Sequence, residues 1–117
     1  MSILEETLVE LEKTQKDFWN VSRATGNFLN MLVKISNSKS VLEVGTSNGY
    51  SGLWFLDALK VTKGHLTTIE YYDKRQSVAR ANYDKCGFVS NKPSKLSLQT
   101  KKIKNKQKND ISGKLSL

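Results

Sequence analysis

The stretch Val41-Leu42-Glu43-Val44-Gly45-Thr46-Ser47-Asn48-Gly49-Tyr50-Ser51 constrains this chain most, because it joins a short apolar strand carrying an acid to a glycine-bearing turn. Such a run, bounded by glycines and followed by a helical pattern, reads as a parallel strand feeding a ligand-cradling turn. A second apolar run, Leu66 to Ile69, ends on Glu70. That is about 20 residues past the turn, where a parallel α/β fold places the carboxylate that takes a ribose hydroxyl pair.

The glycine spacing narrows the ligand. A dinucleotide cradle uses G-x-G-x-x-G, whose middle glycine lets a pyrophosphate approach the backbone. Here that position is Ser47, and the glycines are Gly45, Gly49 and Gly52. A pyrophosphate is therefore disfavoured, whereas an adenosine bearing an amino-acid arm needs less anion-binding backbone.

The acidic-x-Gly-x-x-x-Gly pattern of Glu43, Gly45 and Gly49 resembles motif I of the class I S-adenosylmethionine-dependent methyltransferases. With His65 to Asp73 and the helix through Ala81, Asn82 and Gly87, the chain is similar to the O-methyltransferase family that includes catechol and caffeoyl-CoA O-methyltransferases and small bacterial relatives. The segment from Phe18-Trp19 through Thr25-Gly26-Asn27-Phe28-Leu29 resembles the helical lead-in of the bacterial members. The resemblance implies that Glu43 holds the turn and the cofactor's amino group, while Gly45 and Ser47 pass under its methionine arm. It also implies that Gly49 belongs to the cradle, Ser51 meets the cofactor carboxylate, Glu70 binds the ribose and Tyr71 packs on the adenine. A small hydroxylated acceptor is the implied substrate, and in metal-dependent members a divalent ion such as magnesium orients it.

Hydrophobic spacing places the other elements. Leu4, Leu8 and Leu11 mark an amphipathic first helix, and Phe28, Leu32 and Ile35 mark one face of a second, the two together expected to cap the sheet. The helix from Tyr50 to Lys60 presents Leu53, Trp54, Phe55, Leu56 and Leu59 and is apolar enough to be largely buried. The helix from Asp73 to Cys86 directs Val78 with Ala81, and Ala79 with Tyr83, at the sheet, and Gly87 supplies a left-handed stop. Phe88 and Val89 are expected to begin strand three. The fold class is thus α/β: the N-terminal part of a Rossmann-like doubly wound parallel sheet, with a helical lead-in.

Charge divides the chain. Residues 1–90 are nearly balanced at net +1, and residues 91–117 carry net +7, with Asp110 the one acid among lysines. No aromatic residue and no sustained periodicity occur in that tail, so disorder is expected there. The expected organisation is N-terminal helices over 1–38, a partial cofactor-binding domain over 39–90 and a Lys-rich tail over 91–117. The recognisable family pattern stops near Phe88, before the acids expected to contact adenine and metal, so a truncation or frameshift near Val89 to Asn91 is inferred. A chain of this kind is expected to bind S-adenosylmethionine weakly or not at all, to turn nothing over and to form no metal site alone.

The other function classes leave fewer traces. The cluster Lys101, Lys102, Lys104, Lys106 and Lys108 offers an alternative, a non-catalytic protein whose tail contacts nucleic acid or an anionic surface. The cluster lacks arginine and interleaved aromatics, which argues against nucleic acid. A homodimer through an exposed sheet edge is compatible with the pattern. The longest apolar run, Leu53 to Leu56, is far too short to span a membrane. The lone Cys86 and the acidic N-terminus point to a cytoplasmic protein without an internal disulfide.

Overall fold

The computed structural model describes residues 2–15, 20–88, 96–100 and 115–116, and among these described residues it has four helices of a full turn or more and four parallel strands. Helix α1 (Ile3–Glu12) opens on a Ser2 cap whose hydroxyl accepts from the Glu5 amide, with Glu5 and Glu6 facing the positive end of the helix. Helix α2 (Arg23–Ser36) is capped in the same way by Ser22, and Asn37 ends it in the left-handed conformation. Strand β1 (Ser40–Val44) leads through the glycine turn into α3 (Tyr50–Thr62), strand β2 (His65–Glu70) and α4 (Asp73–Lys85). Gly87, at φ +86°, provides the expected left-handed stop after α4. Strands β3 (Leu96–Thr100) and β4 (Leu115–Ser116) complete the sheet.

The strand order is β3-β2-β1-β4, all parallel. Successive strands step one way from β1 to β3 and then jump back to the far side of β1. In open α/β sheets the crevice beyond the carboxyl ends of the strands at such a reversal is where ligands bind. The reversal lies at β1, whose carboxyl end is the glycine turn.

Register and strand alternation sort the side chains by face. Val41 pairs with Leu66 and Leu66 with Leu96, and all three are buried with α3 and α4 residues in one core. Leu53, Phe55, Leu56, Ala58 and Leu59 line the buried side of α3, as its composition predicts. Ala79 and Tyr83 are the buried residues of α4, whereas Val78 and Ala81 are exposed, which corrects half of the expected face. His65 Nε2 lies 2.8 Å from the Ser97 hydroxyl, a tie between strands β2 and β3.

Three other expectations are corrected. First, α2 turns Phe28 and Ile35 outward, at 61% and 79% exposure, and buries Gly26, Asn30 and Val33 instead. Gly26 lets the helix approach Trp54, and the Asn30 amide donates to the Trp54 carbonyl and the Asp57 carboxylate, at 2.8 and 3.1 Å. Helices α1 and α2 therefore pack chiefly on α3 rather than capping the sheet. Second, Phe88 is buried but outside any strand, Val89 lies outside the described residues, and the third described strand is Leu96–Thr100. Third, the expectation of a disordered tail does not hold for Leu96–Thr100 and Leu115–Ser116, which are paired strands. Leu96 and Leu98 alternate with Ser97 and Gln99, a strand pattern that lets Leu96 join the core while β3 covers the edge of β2. Phe18, Trp19 and the lysines from Lys101 to Lys108 lie outside the described residues. Among the described residues no helix is long and apolar enough to cross a membrane.

Candidate cofactor site

Glu43 and Glu70 sit on the same face of the sheet, at the carboxyl ends of neighbouring strands. Glu43 pairs in register with Thr68, and Glu70 lies two residues further along β2, so alternation returns it to the same side. The Thr68 hydroxyl donates to Glu43 Oε1 at 2.7 Å, and the Thr46 hydroxyl lies 2.6 Å from that of Thr68. Burial lifts the Glu43 carboxyl from 4.5 to about 7; the Thr68 hydrogen bond opposes the rise and the Glu70 charge adds to it. Tyr83 reaches the same buried region, its hydroxyl pushed well above its ordinary range by burial and then by the Glu43 charge.

The glycine turn is held by β2. The amides of Gly45 and Thr46 donate to the Ile69 carbonyl at 2.8 and 3.2 Å. Glu70 accepts from the Ser47 amide at 2.6 Å through Oε1 and from the Tyr72 amide at 3.0 Å through Oε2. Ile69 and Glu70 thus contact the turn backbone directly, and Glu43 reaches the turn through the hydroxyls of Thr68 and Thr46. Gly45 and Gly49 both take positive φ, at +93° and +94°, a region costly for residues with a Cβ. Ser47 adopts φ +54°.

A cleft of about 210 Å³ opens beside this turn. One wall is Glu43 to Ser47 with Ser51, and the other comes from the lead-in, Asn20, Val21 and Leu29, with Phe55 among the lining residues. Of the residues expected in the site, Glu43, Gly45, Ser47 and Ser51 line this cleft. Ser51 stands in the first turn of α3, at the positive end of the helix dipole. Gly49 faces away, against the ring of Tyr83, and serves the turn into α3. Tyr71 lies on the surface at 59% exposure, its ring 5.1 Å from that of Tyr72.

Asn20 and Val21 are lining residues that motif spacing could not supply, since they lie far upstream of the glycine turn. Their one sequence signal was the likeness of the surrounding lead-in to bacterial O-methyltransferases. The Nδ2 of Asn20 is buried without a hydrogen-bond partner among the described residues. Among the described residues no group of His, Cys, Asp or Glu is placed to hold a metal ion.

The sequence model of the O-methyltransferase family matches residues 1–114, running past Phe88 and through β3. The chain belongs to the O-methyltransferase family. Among its relatives, this O-methyltransferase-family chain is 41% identical over 71 residues to a catechol O-methyltransferase of Niastella koreensis, covering 61% of this chain and 32% of the relative. Its fold matches an O-methyltransferase from Bacillus cereus solved in complex with SAH, with a TM-score of 0.71 and 27% identity, over 96% of this chain and 48% of that one. It also matches an SAH-bound methyltransferase from Podospora anserina, with a TM-score of 0.74 and 25% identity, over 93% and 45% of the two chains. The chain thus spans a third to a half of the relatives it resembles.

Proposed function

We propose that this chain carries the cofactor-binding half of an S-adenosylmethionine-dependent O-methyltransferase site, holding the cofactor weakly and turning over no acceptor by itself. The observation that carries the reading is the placement of Glu43 and Glu70 on one face at the sheet's reversal point, one lining the cleft and the other fastening its loop. The SAH in the Bacillus and Podospora structures supports it, because SAH is what S-adenosylmethionine leaves after giving up its methyl group.

Ionised Glu43 takes the cofactor ammonium, and Gly45 and Ser47 pass beneath the methionine arm. Ser51 and the positive end of α3 meet the carboxylate. Glu70 receives the ribose hydroxyls on the lone pairs its loop amides leave open. Tyr71 offers its exposed ring to the adenine. The orphaned Nδ2 of Asn20 fits a polar ligand, because a buried donor without a partner costs about 1–3 kcal/mol until one arrives.

Bound S-adenosylmethionine supplies an activated methyl group. An O-methyltransferase contributes chiefly by holding that group in line with an acceptor hydroxyl. The acceptor class is a small hydroxylated compound, as family membership suggests. Size supports weak binding: about 210 Å³ falls below the roughly 300 Å³ at which enclosing ligand pockets begin. The adenine would therefore rest on open surface beside Tyr71.

Titration of the labelled chain with SAH, followed by amide NMR, tests this. Shifts confined to Asn20–Val21, Glu43–Ser51 and Glu70–Tyr72, with a dissociation constant above about 100 μM, are expected. Absence of shifts at millimolar SAH would remove the cofactor assignment. Micromolar affinity, or methyl transfer to a catechol with magnesium, would show that these residues make a complete site.

A further inference from the structure

One carboxylate joins the two walls of the cleft. Oε2 of Glu12, at the end of α1, accepts from the Tyr50 hydroxyl at 2.7 Å and from Arg23 Nε at 2.8 Å. Arg23 opens α2, two residues after Val21, which with Asn20 and Leu29 provides the lead-in wall. Tyr50 opens α3, directly before Ser51 on the opposite wall. The same guanidinium reaches Glu5 at 2.9 Å and lies 5.5 Å from the centre of the Trp54 ring, which meets the Tyr50 ring edge-on at 6.3 Å.

Tyr50 is fully buried, so its hydroxyl has no water to exchange for Glu12. Hydrogen bonds to a charged partner are the stronger kind, and both bonds here end on an ionisable carboxylate. Each donor sits within two residues of a lining residue, so a shift at Glu12 changes the separation of the walls directly.

We propose that Glu12, with Tyr50 and Arg23, is a positioning residue that sets the width of the cofactor cleft. The proposal rests on the cofactor reading above. None of the three side chains lines the cleft, so their effect on the cofactor acts through Asn20–Val21 and Ser51.

Y50F keeps the buried ring and removes only the hydroxyl, and E12A removes the carboxylate. Each is expected to weaken SAH binding about tenfold, as loss of a charge-assisted hydrogen bond in a positioning role would. The double variant is expected to bind within about twofold of the single ones, because both lesions break one tie. E12Q, which keeps an acceptor oxygen, is expected to recover most of the affinity. If Y50F and E12A lower the unfolding midpoint but bind SAH like the parent chain, the tie is only structural and the proposal fails. Should the parent chain bind no SAH, the cofactor reading falls, and hydrogen exchange in ligand-free protein decides the tie. Faster exchange in Y50F at the Val21 and Ser51 amides together would uphold it, and unchanged exchange at both would overturn it.

Discussion

Glu43 is the acid that folding alters most among the described residues. Its carboxyl binds a proton more tightly folded than unfolded, rising from 4.5 to about 7. A raised carboxyl pKa means the folded chain holds the extra proton between those values, so stability falls as pH rises through that window and is fullest below it. At 1.36 kcal/mol per unit, the loss reaches about 3 kcal/mol by neutral pH. E43Q should therefore gain on the order of 2 kcal/mol at pH 8 and lose most of the pH dependence between about 5 and 7. Urea denaturation across that range checks it, and parent-chain stability rising with pH would contradict it. At Gly52 an added Cβ would lie 2.1 Å from the Tyr83 hydroxyl, itself buried. G52A should cost about 1–3 kcal/mol by overpacking, read as a lowered denaturation midpoint. The positions of Glu43 and Glu70 were legible from the sequence because strand alternation and the interval between two apolar runs determine them. The division of labour between them was not, because it depends on where the amides of Ser47 and Tyr72 point.

At the scale of elements, α2 shows why periodicity can select the wrong face. Phe28, Leu32 and Ile35 make one apolar stripe and Gly26, Leu29 and Val33 lie along another, and spacing alone favours the larger side chains. Contact with α3 is decided instead by close approach at Gly26 and by the two acceptors that Asn30 satisfies. Replacing Ile35 with Lys should accordingly change stability by less than about 0.5 kcal/mol. V33A, at a fully buried position, should cost about 1–3 kcal/mol. Equal losses from the two in thermal denaturation would argue for the stripe as a packed surface. Strand β3 was hidden for a different reason: composition averaged over a Lys-rich tail masks a five-residue alternation. α3 and the glycine turn were legible because their apolar density and positive-φ requirements leave few alternatives.

Taken whole, the molecule relies on strands far from the motif. Leu96 belongs to the same core as Val41 and Leu66, and β3 covers the outer edge of β2. A chain ending after Phe88 should therefore lose cooperative unfolding, followed by circular dichroism, although every glycine-motif residue remains. Retention of a sharp transition would mean that the region before Phe88 folds without β3. The sheet order adds a consequence for how the protein matures. Strand β1 receives one neighbour, β2, soon after it is made, and the other, β4, only after the whole of β3 has emerged. During translation this flank of β1, at Val41 and Leu42, stays open longest, and a nascent chain is most exposed to unwanted strand pairing there.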